Sequence, residues 1–293
     1  MTATTATTGP RTVLVTGVRA KTGLPLATSL AARDDVVVRG GSSDPAGVEV
    51  PGVEAVAFSW DDPEPWDAAV RDVDAVYVVR PDRPDAPALI GNLLARTAPG
   101  TRVVLLSDLD ADLGAADRWS LRVEEVVATS GRPWVALRPG WFSQVLTDPR
   151  FFLTAIVEDG ELPYPAGDGA LSWIDARDVA AVAEVALLDA SYDGRLLTLT
   201  GPAAYTLPET AALVSAALGR PVAHRDQTVE EAVSASDEFV RALETATFER
   251  VRSGAFAVVT DTVAEVTGRS ARRFEDYVAE AFSATTENSG SPA

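Results

Sequence analysis

The run Val13-Leu14-Val15-Thr16-Gly17-Val18-Arg19-Ala20-Lys21-Thr22-Gly23 constrains this chain more than any other stretch. Apolar, β-branched residues stop at a glycine, cross a tight turn and enter 24–33, where apolar positions recur at helical spacing. The pattern predicts strand, turn, helix. Such a turn directs backbone N–H groups and the positive end of a helix dipole at one point, which suits a dinucleotide pyrophosphate. Gly17, Ala20 and Gly23 form a variant of G-x-x-G-x-x-G in which alanine replaces the middle glycine. Glycine there lets phosphate approach the backbone, and the Ala20 methyl narrows that approach. The competing reading is an ordinary βα turn with no ligand.

Composition removes several function classes. A formal net charge of −18 opposes binding to phosphate backbones and anionic membrane surfaces, so neither nucleic acid nor membrane is an expected partner. No apolar run approaches the roughly 18 residues of a membrane span, and the Thr-rich start lacks a secretory pattern, so a cytoplasmic protein is expected. The absence of cysteine excludes disulfides, thiolate metal ligands and a Cys nucleophile. With His224 the only histidine, no multi-His metal site can form and no metal is expected. His224 is also the only base open to a Ser-His-Asp hydrolase, and no Gly-x-Ser-x-Gly elbow accompanies it.

After the first helix, 35–39 reads as a second strand and Gly40-Gly41-Ser42-Ser43-Asp44-Pro45 as its turn. Residues just past this strand select the ribose: a carboxylate accepts from a 2′-hydroxyl, a basic residue receives a 2′-phosphate. No acid stands at the expected strand end, and Arg19, Lys21 and Arg39 are the nearby cations, which favours NADP(H) over NAD(H). Strands follow at 53–58, Ala75–Val79, Arg102–Leu106 and 134–137, with helices near 66–70, 87–98 and 115–130 between them. Alternation of this length defines a parallel, doubly wound sheet. Its carboxyl edge would gather Thr22 and Gly23 in the first turn, Arg80-Pro81, Ser107-Asp108 and Pro139. Ser107 is a candidate donor to a substrate oxygen, and Asp108 a titrating group if buried. Trp119, Trp141, Phe142 and Trp173 are candidate substrate walls, against the competing reading that aromatic rings simply fill core. The pair Glu124-Glu125 reads as a helix face, and Arg177-Asp178 as a charge pair joining two lobes.

Thr16–Gly23, Glu124 before Ser130-Gly131, Leu137-Arg138-Pro139-Gly140-Trp141-Phe142, Ala166-Gly167-Asp168-Gly169 and Trp173-Ile174-Asp175-Ala176-Arg177-Asp178-Val179-Ala180 occur in that order. Leu199-Thr200-Gly201-Pro202 and 263–268 before a terminal helix complete the pattern. Together they resemble the NmrA-like branch of the atypical short-chain dehydrogenases/reductases, similar to bacterial relatives of ergot-alkaloid-type reductases. The resemblance implies an α/β, Rossmann-like dinucleotide domain over 11–142, completed by 171–200, and a smaller, mainly helical substrate lobe from 143–170 and 201–284. Residues 1–10 and 285–293 are expected as flexible tails. Three positions depart from the family pattern: Ala20 for glycine, Ser43 where a basic residue often precedes the Asx-Pro pair, and Ser120 where Lys or His often stands.

Because Lys21 is the only lysine, the Tyr-x-x-x-Lys pair of typical short-chain dehydrogenases is absent. That lysine lowers the tyrosine pKa and anchors the nicotinamide ribose, so unactivated ketones are disfavoured substrates. The first expectation is an NAD(P)H-dependent reductase of an activated acceptor, an imine, a quinone-like or a conjugated group, on a small aromatic or polycyclic metabolite. Two alternatives stay open: a nucleotide-sensing regulator without catalysis, and a cofactor-independent protein of metabolite coupling or cyclisation. Self-association is also left open.

Overall fold

A computed structural model describes residues 9–109, 118–235 and 237–288. Most of the expected tails, and 115–117 of the expected fourth helix, lie outside these residues. Strands β1 (Arg11–Val15), β2 (Val36–Ser42), β3 (Val53–Ala57), β4 (Ala75–Val79), β5 (Arg102–Leu106), β6 (Trp134–Pro139) and β7 (Arg195–Leu199) form one sheet in the order β3-β2-β1-β4-β5-β6-β7. The neighbours from β3 across to β6 all pair in parallel. Val13, Leu14 and Val15 of β1, Val76 to Val78 of β4 and Val103 to Leu105 of β5 are fully buried. Covered on both faces, these strands need no polar alternation, which is why they read as continuous apolar runs. The expected Rossmann-like, doubly wound α/β architecture is present, and strand order reverses between β1 and β4.

One strand differs from expectation in a way that moves the ligand-facing edge. β2 does not end at Arg39 but continues through Gly40 and Gly41 to Ser42. A Cβ on Gly40 would lie 2.8 Å from Val53 Cγ1 and 2.9 Å from Val18 Cγ2, and one on Gly41 3.0 Å from Phe58 Cβ. The two glycines therefore mark close approach of neighbouring chain, not a turn.

The chain divides into two compact units, one of residues up to Ser107 with Leu121–Leu137 and Ala180–Leu197, the other of Asp108–Ser120, Arg138–Val179 and residues from Thr198. The second has its own apolar core, in which Leu207, Ala211, Val214 and Leu218 of one helix meet Phe274, Tyr277, Val278 and Phe282 of another. The helix Leu207–Leu218 starts at a capping box, Thr206 with Glu209, and stops at Gly219 in the left-handed region. The helix Phe274–Asn288 runs farther than the expected 273–282. Among the described residues, no helix is long and apolar enough to cross a membrane.

Arg177 does not pair with Asp178. Its guanidinium holds Asp175 at 2.6 Å and Glu280 at 2.9 Å, while Asp178 accepts the Arg272 N–H at 2.7 Å, all inside the second unit. Burial disfavours the Asp175 charge, but bonds from Arg177 and Gln144 outweigh it and hold the carboxyl below its usual pKa. A lowered folded pKa places the contribution above the ordinary carboxylate range and removes it as pH falls through the folded value. Asp175→Asn is expected to destabilise the fold by about 2 kcal/mol at neutral pH. In chemical-denaturation titrations the gap from the parent should narrow as pH falls through the lowered folded pKa, where the parent carboxyl itself takes up a proton.

Candidate functional site

The turn after β1 is built against β4. Thr16 Oγ1 donates to the Tyr77 carbonyl at 3.2 Å and accepts from the Val79 N–H at 2.9 Å. Tyr77 in turn donates its buried hydroxyl to Thr22 Oγ1 at 3.0 Å, and burial pushes its pKa up. A Cβ on Gly23 would lie 1.9 Å from the Gly17 carbonyl oxygen, so only glycine lets the helix Gly23–Ala31 begin this close to the turn. The Ala20 N–H is bonded to the Gly17 carbonyl at 2.9 Å and that of Val18 to Gly41 at 3.4 Å. The helix start, with its positive dipole end, is thereby fixed beside the strand ends.

A cleft of about 380 Å³ opens at this edge. Its walls come from the carboxyl ends of four strands: Thr16 to Ala20 after β1, Gly41 to Ser43 at β2, Phe58 to Asp61 after β3, and Pro81 to Arg83 after β4. Ligands of open α/β sheets bind at such a switch point. Of the residues expected at a dinucleotide, Gly17, Arg19, Ala20, Ser43 and Pro81 line the cleft. Thr22 and Gly23 lie buried beneath it as supports, and Lys21, Arg80 and Pro139 are not lining residues.

Arg39, expected at the cofactor, stands elsewhere. The longer β2 leaves it in mid-strand opposite Leu14 and Glu54. There its guanidinium donates to the Ala69 and Arg71 carbonyls and pairs with Glu54 at 3.4 Å, so it does not reach the cleft. Arg19 does, and it also pairs with Asp44 at 3.4 Å. Asp44 is thus an acid two residues past the true end of β2, where the shorter strand expected from sequence had none.

Trp60 was not singled out from sequence. Its Nε1 donates to the Val79 carbonyl at 3.1 Å, and its ring stands edge-on to Phe58 and Trp66, centroids 5.1 and 5.6 Å away. The result is a rigid aromatic wall. Position alone carried a signal, because Trp60 follows a strand whose carboxyl end had to face this edge.

The expected substrate-side residues divide. Trp173 is fully buried, stacks on Phe274 at 5.5 Å and donates Nε1 to Thr210 at 3.0 Å, so it is core and not a wall. Trp119 is only 2% exposed and packs edge-on to Phe239 at 5.3 Å, again core. Trp141 and Phe142 are half-buried. Ser107 is buried, and its hydroxyl donates to Glu124 Oε1 at 2.6 Å. That proton is committed to a carboxylate, so Ser107 presents lone pairs and not the donor expected. Glu124 is buried with it and is not an exposed helix face. Asp108 is half-buried and accepts from Ser120 Oγ at 2.7 Å. His224 Nε2 bonds the Tyr164 carbonyl at 2.9 Å, a structural contact. No cluster that could hold a metal ion occurs among the described residues.

The NAD(P)H-binding family matches residues 17–189. The chain is 36% identical over 238 residues to an NAD(P)H azoreductase of Xenophilus azovorans, covering 77% of this chain and 82% of that one. It is 33% identical over 284 residues to the (4-alkanoyl-5-oxo-2,5-dihydrofuran-3-yl)methyl phosphate reductase of Streptomyces griseus subsp. griseus, covering 92% and 97%. The fold is shared with the NADPH-dependent quinone oxidoreductase QOR2 of Escherichia coli, solved with NADPH, at a TM-score of 0.77 and 21% identity over 92% of this chain and 99% of that one. With the glycine-bounded turn, the switch-point cleft and the ordered motifs, these relationships make the chain a member of the NAD(P)H-binding family and an NAD(P)H-dependent oxidoreductase, with a fold shared by the transcriptional regulator NmrA at a TM-score of 0.76 and 19% identity.

Proposed function

We propose that the cleft takes the adenosine and pyrophosphate half of NADP(H), and that the chain reduces an activated, conjugated acceptor on a small aromatic or polycyclic molecule. The observation that carries the cofactor reading is the Gly17–Gly23 contact, which starts a helix against the strand ends where a pyrophosphate gains most from N–H groups and dipole. Gly17 and Ala20 form the floor, Ser43 and Arg19 the ribose side, and Pro81 with Trp60 the wall for a flat base. When bound, the nicotinamide supplies a hydride. Arg19 carries the reading of a phosphorylated cofactor against the acid at the strand end, because a guanidinium meets a 2′-phosphate as a charge-assisted, bidentate donor and its ion pair with Asp44 is exposed and weak.

The acceptor class rests on proton chemistry. The chain has no Tyr-x-x-x-Lys pair, and the Ser107 proton is held by Glu124. A plain ketone needs strong acid assistance as hydride arrives, whereas a conjugated or charged acceptor is already electrophilic. The relatives' named substrates agree: an azo compound and an oxo-dihydrofuran are both conjugated acceptors.

In assays of NAD(P)H oxidation, quinones, azo dyes and unsaturated lactones are expected to turn over at least about a hundredfold faster than unactivated ketones, the scale of one missing general acid. Fast ketone reduction would contradict the acceptor class. Arg19→Ala is expected to weaken NADPH about fivefold, near 1 kcal/mol, because the side chain is half exposed, and to leave NADH unchanged. Equal losses for the two cofactors in calorimetric titrations would remove the preference for NADP(H).

A further inference from the structure

Among its described residues the second unit contains two buried hydroxyls that its own packing leaves unused, Ser143 Oγ and Tyr164 Oη, and only the second is a phenol set among open aromatic rings. Tyr164 is fully buried, and its Oη has no hydrogen-bond partner among the described residues. The other buried phenols are provided for: Tyr77 by Thr22, and Tyr277 by Thr147 at 2.8 Å. Phenylalanine would fill the Tyr164 position without an unpaired group, so the hydroxyl is held there at a cost in stability. The backbone beneath it is pinned, with its N–H on the Arg225 carbonyl at 3.2 Å and its carbonyl on His224 Nε2 at 2.9 Å.

The rings around it are all apolar. Trp141 and Phe248 meet the phenol edge-on, each with its centroid 5.4 Å away, and Phe152 lies tilted at 5.7 Å. These three are only half-buried, so apolar ring surface remains open beside a phenol that has none. Burial pushes the Tyr164 pKa well above the ordinary phenol value. The group therefore stays protonated and acts as a hydrogen-bond donor, not as a source of protons.

We propose that Trp141, Phe152 and Phe248 seat a flat aromatic acceptor whose carbonyl oxygen or azo nitrogen takes the hydrogen bond of Tyr164 Oη. Reaching the hydroxyl requires the half-buried rings to part, which lays their faces against the ligand. The bond draws electron density onto the acceptor atom and transfers no proton. This assignment rests on the reductase reading and names the residue that orients its substrate.

The test is isothermal titration calorimetry on the full chain without nucleotide, using 2-methyl-1,4-naphthoquinone and its hydrocarbon analogue 2-methylnaphthalene. Tyr164→Phe is expected to lose about tenfold in quinone affinity, about 1.4 kcal/mol, and to keep its hydrocarbon affinity. The variant should also melt at the same or a higher temperature, since an unpaired buried hydroxyl has gone. Unchanged quinone affinity, parallel losses for both ligands, no binding of either ligand, or a lower melting temperature would each overturn the assignment. The reductase reading fails separately: quinone binding that depends on Tyr164, with no NAD(P)H oxidation, would end that reading and leave this site standing.

Discussion

The ligand-facing edge depends on one close approach, that of Gly23 to the Gly17 carbonyl oxygen. With a Cβ placed only 1.9 Å from that oxygen, any other residue at 23 would push the helix away from the strand ends. The same contact needs β1 held firmly against β4, which Thr16 does by bonding both the Tyr77 carbonyl and the Val79 N–H. Tyr77 closes the loop by donating its hydroxyl to Thr22 at the helix start. Strand pairing, turn and helix onset are thus one cooperative unit, and the cleft is its outer surface.

The two units handle polar burial differently. In the first, the hydroxyls of Thr16, Tyr77 and Ser107 are spent on rigidity, including a short bond from Ser107 to the buried Glu124. Such commitment fixes geometry and withdraws proton donors, which is the ground for the proposed preference for acceptors that are electrophilic beforehand. In the second, buried Asp175 is satisfied by half-buried Gln144 and Arg177, while Tyr164 remains unsatisfied among aromatic rings.

Much of this was legible in the chain. Continuous apolar runs placed the strands of the sheet and period-3.6 patterns its helices, because parallel strands covered on both faces carry no polar alternation. The end of β2 was not legible: Gly40 and Gly41 look like a turn until Val53, Val18 and Phe58 are seen pressing on them. That three-residue extension removed Arg39 from the site and brought Asp44 to the strand end. Spacing also cannot separate a core ring from a wall ring, so Trp119 and Trp173 were candidates until their burial was known. Glu124 looked like one half of an exposed acidic pair because its partner lies 17 residues away. Tyr164 carries no local signal at all, since what distinguishes it is the lack of a partner in space.

In the proposed binding mode the turn after β1 and the ends of β2, β3 and β4 receive the nucleotide. Amide hydrogen exchange of the full chain with and without NADPH tests it directly. Protection is expected at 16–23, 41–43 and 58–61, where backbone lines the cleft or starts the helix. Tight NADPH binding with no change in exchange over these three segments would contradict the account.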